Sequence, residues 1–115
     1  MIIPLSHCDI GVSHMLRELF LGFIRVHILY HASQSPVYGL ELIEELESHG
    51  YPVSPGTMYP ILSKLEQSGL IVSEKVNVEG KIRKYYKITE TGSEVLREAK
   101  EKTRELAREV LKGEL

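Results

Sequence analysis

The side chains of this 115-residue sequence that could do chemistry fall into two groups, one of cations and hydroxyls and one of imidazoles. Between Glu74 and Ile88 stand five basic residues, Lys75, Lys81, Arg83, Lys84 and Lys87, against two acidic ones, Glu74 and Glu79. The whole chain holds 14 basic and 16 acidic residues, which leaves nine bases against fourteen acids elsewhere. Four of those acids, Glu41, Glu44, Glu45 and Glu47, lie within seven residues that contain no base. The net charge of −2 is thus the sum of an acidic body and a basic segment. For binding a polyanion the distribution of charge matters more than its sum. Upstream, Ser54, Gly56, Thr57, Tyr59 and Ser63 are small or hydroxylated, able to approach phosphates and base edges closely, and Lys64 adds a cation.

Among the imidazoles, His27 and His31 stand at i, i+4, a helical spacing that can ligate one metal, with His7, Cys8, His14 or His49 to complete the set. The plainer reading is two half-buried histidines near an interface, and the sequence assigns no metal. Protonation of the pair below about pH 6.5 is a second way for it to report conditions. The single Cys8 excludes an intramolecular disulfide, and no base or resolving cysteine stands near it to make it a redox sensor. A phosphate-binding glycine loop and a convincing Cys-His-Asp spacing are both missing, so an enzyme is not expected, nor is a cofactor.

The elements that must position these groups follow from periodicity. Residues 1–12 show no sustained pattern and read as an arm or a poorly ordered lead-in, with Met15 as an alternative start. From Ser13, a natural N-cap, Leu16, Leu19, Phe20, Phe23, Ile24 and His27 recur at helical spacing up to about Ala32. A second helix is expected over Val37–Ser48, with Tyr38, Leu42 and Leu46 on one stripe widened by Leu40 and Ile43, and Gly50 stopping it. Ser54 as N-cap and Pro55 at the first helical position open a third helix, 54–68, with Met58, Ile61, Leu62 and Leu65 as its buried stripe. The period then changes to two: Leu70-Ile71-Val72 starts a strand, Asn77 to Gly80 turns, and Ile82 to Ile88 returns. Thr89 caps a last helix on which Leu96, Ala99, Thr103, Leu106 and Val110 are spaced 3, 4, 3, 4, a heptad seam on an otherwise charged surface.

Three helices, a small β-hairpin and a long closing helix make a mainly α, α+β chain of the winged helix-turn-helix type. In that arrangement the second helix of the pair enters the major groove, and the wing reaches flanking DNA. At this point the sequence resembles a known family. Tyr38-Gly39-Leu40-Glu41-Leu42-Ile43, Ser54-Pro55-Gly56-Thr57-Met58-Tyr59-Pro60-Ile61-Leu62, Leu65-Glu66-Gln67-Ser68-Gly69-Leu70-Ile71, and Arg83-Lys84-Tyr85-Tyr86-Lys87-Ile88-Thr89 with Gly92 are similar to the PadR regulators. The similarity runs from about Leu19 to Leu96. It implies a dimeric winged-helix protein, usually a repressor released from its operator by an effector. It further implies that Tyr59, Lys64 and the wing face DNA, while the closing helix forms the dimer. The best-known small members place a tryptophan on the last helix to sandwich flat drugs. This chain has no tryptophan, so a pore of that kind is not expected.

The sequence therefore leads us to expect an arm over 1–12, a DNA-binding domain over 13–89 and a dimerisation helix over 90–115. The expected site comprises Ser54, Gly56, Thr57, Tyr59, Ser63, Lys64, Lys81, Arg83 and Lys84 for DNA, and Leu96, Ala99, Thr103, Leu106 and Val110 for the dimer. Partners would be double-stranded DNA, a second copy and an unidentified small-molecule effector. The apolar stretch Leu19–Tyr30 is too short to span a bilayer and contains Arg25 and His27, and no signal peptide is visible, so a cytoplasmic protein is expected. Two alternatives stay open: a protein-docking winged helix that uses its acidic second helix, and a metal- or pH-responsive regulator built on His27 and His31.

Overall fold

The computed structural model describes residues 12–114. Apart from Val12, the expected arm, with His7 and Cys8, lies outside the described residues. The element order is α1 (Val12–Gln34), β1 (Val37–Tyr38), α2 (Gly39–Ser48), α3 (Pro55–Gln67), β2 (Ile71–Val78), β3 (Lys81–Ile88) and α4 (Glu90–Val110).

Helix α1 begins at Val12, so Ser13 falls inside its first turn rather than capping it. Ile24, Ile28, Leu29 and Ala32 are buried. The apolar stripe read from the sequence is wider than the face the core uses: Leu19 and Phe23 are each 39 % exposed and share an outward stripe with Met15 and Tyr30. Spacings of four, four and seven put those four side chains on one face.

The expected second helix is shorter than its pattern. Val37 and Tyr38 form a strand, pairing antiparallel with Tyr86 and Tyr85, and α2 starts only at Gly39. A two-residue strand has no period to detect, and its partner lies far along the chain. Leu42 and Leu46 are fully buried, whereas Leu40 is exposed, because on α2 it points away from the stripe that Leu42 and Leu46 define.

Both helix ends that frame α3 close with the same backbone device. Tyr51 N–H donates to Leu46 O at 2.9 Å and Gly50 N–H to Glu47 O at 3.0 Å; Leu70 N–H donates to Leu65 O at 3.0 Å and Gly69 N–H to Glu66 O at 2.9 Å. Gly50 (φ 88) and Gly69 (φ 77) take the left-handed conformation this paired closure requires. At the start of α3 the backbone of Ser54 is extended, as an N-cap should be, but its hydroxyl makes no capping bond. It donates instead to Thr57 Oγ1 at 3.4 Å, so the cap position is as expected and its side-chain bond is not.

The wing is β2 and β3 in register from Ile71↔Ile88 to Val78↔Lys81. Glu79 (φ 51) and Gly80 (φ 86) make the two-residue turn, whose paired positive φ values match the twist of a hairpin. Asn77 Oδ1 accepts from Gly80 N–H at 2.9 Å and steadies it. With β1 on the free edge of β3, the sheet has three strands in the order β1-β3-β2 rather than the two expected.

Thr89 caps α4 as expected: its hydroxyl oxygen accepts from Gly92 N–H at 3.0 Å and its proton goes to Gly69 O at 2.6 Å. The core draws Ile24 and Ile28 from α1, Leu42 and Leu46 from α2, Met58 and Leu62 from α3 and Ile71 from β2, with Tyr86 and Leu96 at its edge. The result is a winged helix-turn-helix with one long closing helix, mainly α with a small antiparallel sheet. Among the described residues, no helix is long and apolar enough to cross a membrane.

Candidate nucleic-acid interface

Helix α3 buries Met58, Ile61, Leu62 and Leu65 and so must present its remaining positions outward. Gly56, Tyr59, Pro60, Ser63, Lys64 and Gln67 are all exposed and recur at helical spacing, forming one stripe. Ser54 is exposed and Thr57 half-buried at the helix start, where free backbone N–H groups and the positive end of the helix dipole favour an anion. Gln67 Nε2 donates to Ser63 Oγ at 3.3 Å across one turn. Pro60 lies inside the helix and lacks the amide that would bond the Gly56 carbonyl. Tyr59 is 48 % exposed, yet its ring tip lies across Gly39: a Cβ there would stand 2.6 Å from Tyr59 Cε1. Gly39 thus permits the close approach of α2 and this tyrosine.

The wing cations divide between the two faces of β3, as strand alternation requires. Lys84 turns toward α3, where its Nζ lies 3.9 Å from Glu66 Oε1 and 5.8 Å from the Tyr86 ring centre. Glu66 Oε2 also accepts from the Ser73 hydroxyl at 2.6 Å and the Ser73 amide at 3.0 Å. The Ser73 hydroxyl first, then its amide and the Lys84 charge, hold the Glu66 carboxyl below the usual range against the opposing effect of burial. Arg83 takes the other face, its guanidinium 4.1 Å from the centre of the Tyr38 ring, with a long bond from Nη1 to the Tyr85 hydroxyl at 3.5 Å. Tyr38 and Tyr85 meet edge to face. Lys81 is exposed beside the turn.

Along α4 the expected seam divides. Leu96 is spent on the chain's own core, so it is not free to meet a second copy. Ala99 is half-buried, and Thr103 donates its hydroxyl to Ala99 O at 2.7 Å. Leu106 and Val110 are 51 % and 59 % exposed, and Leu111 beside them is exposed too. Beyond Thr103, Leu106, Val110 and Leu111 form an exposed apolar stripe.

The histidines gather where α1 meets the end of α2. His27, His31 and His49 bring one ligand atom each within 4.8 Å of one another, and the rings of His27 and His49 stack with centroids 4.6 Å apart. His14 is exposed on the first turns of α1 and is not in this group. Glu45 Oε2 lies 3.6 Å from His31 Nε2 and 3.7 Å from His49 Nε2. Burial first, then the neighbouring His49 and His31, hold His27 below the ordinary histidine value, with Glu45 opposing. A cavity of about 490 Å³ opens beside these rings, walled by Phe23, Tyr30, Tyr51 and Thr103.

Sequence reasoning did not single out Tyr38 and Tyr85 as the cradle of Arg83, nor Glu66 with Ser73 as the partners of Lys84. The alternation of β3 put Arg83 and Tyr85 on one face, but only the strand at Val37–Tyr38 brings Tyr38 to them. His49 stood among four ways of completing the histidine pair, with no sequence signal to choose it.

Residues 28–98 match the transcriptional regulator PadR-like family. Over 99 residues the chain is 48% identical to the transcriptional regulator Rv3488 of Mycobacterium tuberculosis, a span that covers 86% of this chain and 92% of that protein. A solved PadR family transcriptional regulator from Eggerthella lenta is similar with a TM-score of 0.73 at 38% identity, over 86% of this chain and 88% of that one. A PadR-like transcriptional regulator from Bacillus cereus gives a TM-score of 0.72 at 36% identity, over 84% and 99% of the two chains. With its winged helix in place and most of its length matched, the chain belongs to the PadR-like family of transcriptional regulators, a family of regulators rather than of enzymes.

Proposed function

We propose that this regulator binds double-stranded DNA as a homodimer in the cytoplasm and represses transcription by occupying a pseudo-palindromic operator. The observation that carries this reading is the contact of Lys84 with Glu66, which sets one wing cation beside the outward stripe of α3; Arg83, on the opposite face of β3, extends the cations around the wing. In it Ser54, Gly56, Thr57, Tyr59 and Ser63 lie against base edges and sugar. Lys64, Lys81, Arg83 and Lys84 neutralise phosphates, two α3 helices sitting about 34 Å apart or a multiple of that. Leu106 and Val110, with Ala99 and Thr103 above them, form the dimer contact. An effector that releases the operator has room in the cavity beside α1.

The test is a titration of labelled operator, obtained by selecting fragments from a random DNA pool, against wild type and Lys84→Ala at several salt concentrations. Lys84→Ala is expected to weaken binding to all sequences and to reduce the salt slope by about one unit. An unchanged slope removes Lys84 from the phosphate set. Failure to enrich any fragment at low salt would favour instead a protein-docking winged helix using the acids of α2.

A further inference from the structure

The geometry points to a transition-metal site formed by His27, His31 and His49, with Glu45 as the fourth ligand, taking a divalent cation of the zinc class. It is separate from the DNA surface and stands whether or not that reading holds. Two ligands come from one helix: His27 and His31 are a turn apart on α1, both half-buried. The third is held by backbone rather than by chance, because His49 N–H donates to Leu46 O at 3.1 Å within the closure of α2.

The dimensions are those of a site nearly closed. A tetrahedron with bonds of about 2.0–2.1 Å has edges of about 3.3 Å. The distances from Glu45 Oε2 to His31 Nε2 and His49 Nε2 are 3.6 and 3.7 Å, and the histidine ligand atoms all lie within 4.8 Å. The three nitrogens need only side-chain rotation to meet on one ion; Glu45, in reach of His31 and His49 but outside that three-histidine group, would close the site last.

A hydrogen-bonded histidine cluster is the competing account, and one atom speaks against it. Among the described residues His31 Nε2 is buried with no hydrogen-bond partner, and 3.6 Å from a carboxylate is too long to be counted as one. A buried imidazole nitrogen facing two further imidazoles and a carboxylate is a nitrogen awaiting a Lewis acid. Three nitrogens and one oxygen suit Zn²⁺ and its first-row neighbours, whereas Mg²⁺ and Ca²⁺ require oxygen donors. An ion there would pin α1 to the last turn of α2, at the entrance to the turn that leads into α3.

The test uses the full chain without a histidine tag, stripped with chelator and titrated calorimetrically with Zn²⁺ alone, with Co²⁺ absorbance as the report of geometry. We expect one ion per chain, intense tetrahedral Co²⁺ bands, and a melting temperature that rises on loading. His31→Ala and His49→Ala should each weaken Zn²⁺ binding by about 100-fold or more, and Glu45→Gln by about 10-fold. His49 is exposed, so its variant should fold, and circular dichroism checks that it does. The combined His7→Ala, Cys8→Ser, His14→Ala variant should bind as wild type. Loss of the ion in that variant, unchanged binding in His49→Ala, or no uptake of Zn²⁺ at micromolar concentration would each overturn the assignment.

Discussion

Changing Gly92 to alanine should destabilise the protein, although the same change ordinarily stabilises a helix. In an unobstructed helix interior, alanine is better than glycine by about 0.8–1.0 kcal/mol. Gly92 is buried in the first turn of α4, where an added Cβ would collide with the carbonyl oxygen of Leu70 and come within 2.7 Å of Ile88 Cγ1. The first obstacle is backbone and cannot swing aside. That same Leu70 oxygen accepts from Thr89 N–H at 3.1 Å, so moving it endangers a bond worth about 0.5–1.5 kcal/mol. Overpacking costs about 1–3 kcal/mol. Against these, the propensity gain loses, and we expect a net destabilisation of about 1–3 kcal/mol. At about 4–8 °C per kcal/mol for a domain near this size, the melting temperature should fall by roughly 5–20 °C.

Gly56→Ala supplies the control. It is also helical, but among the described residues an added Cβ meets Ser54 Oγ at 3.7 Å, an ordinary contact, and nothing closer. This variant should gain from a few tenths to about 1 kcal/mol. Urea denaturation of the three proteins at one protein concentration measures both signs, with the concentration fixed because an oligomer's stability depends on it. A Gly92→Ala protein as stable as wild type would refute the packing argument. If Gly56 also lets backbone approach DNA, Gly56→Ala should bind operator more weakly while being the more stable protein.

Three further outcomes are expected. Leu106→Glu places a charge on the exposed stripe of α4 and should convert a dimer to monomers in sedimentation, so a mutant that still dimerises would sink the seam. Tyr38→Leu removes the ring under Arg83 and should weaken operator binding about as much as Arg83→Ala, since the ring aims the guanidinium; binding left intact in a fluorescence titration would refute that role. Glu66 has its folded pKa depressed, chiefly by the Ser73 hydroxyl, so it stabilises the fold above the ordinary carboxylate range and loses that contribution as pH falls through its folded value. Ser73→Ala should therefore cost stability at about pH 7 and progressively less toward about pH 3, and an equal deficit at both would rule out the linkage.

Much of the architecture was legible because the sequence speaks in clear periods. The 3.6-residue pattern of Met58, Ile61, Leu62 and Leu65, the Gly50 stop, the Asn77-to-Gly80 turn and the Thr89 cap each have a local cause. What failed was whatever depended on partners distant in the chain. Val37 and Tyr38 look helical beside Leu42 and Leu46, and only pairing with Tyr86 and Tyr85 makes them a strand. Periodicity gives the direction of an apolar face but not what covers it, so Leu19 and Phe23 were grouped with Ile24 although the core takes only Ile24's side. The cradle of Arg83 and the clamp on Lys84 were invisible for the same reason. His49 joins His27 and His31 only because α2 ends against α1.

These long-range contacts converge on one short junction. Gly69 O accepts from the Thr89 hydroxyl, Leu70 O from the Thr89 amide, and Gly92 packs directly under Leu70. The end of α3, the start of β2, the end of β3 and the first turn of α4 are therefore bound together within a few residues. On the proposed reading, α3 and the wing hold DNA while the far end of α4 holds the second copy. A tilt of α4 imposed by its partner must then either lift Gly92 from Leu70 or carry the base of the wing with it. Lifting Gly92 would also strain the Thr89 bonds to Gly69 O and Leu70 O, so on that reading a tilt of α4 is expected to carry the base of the wing with it.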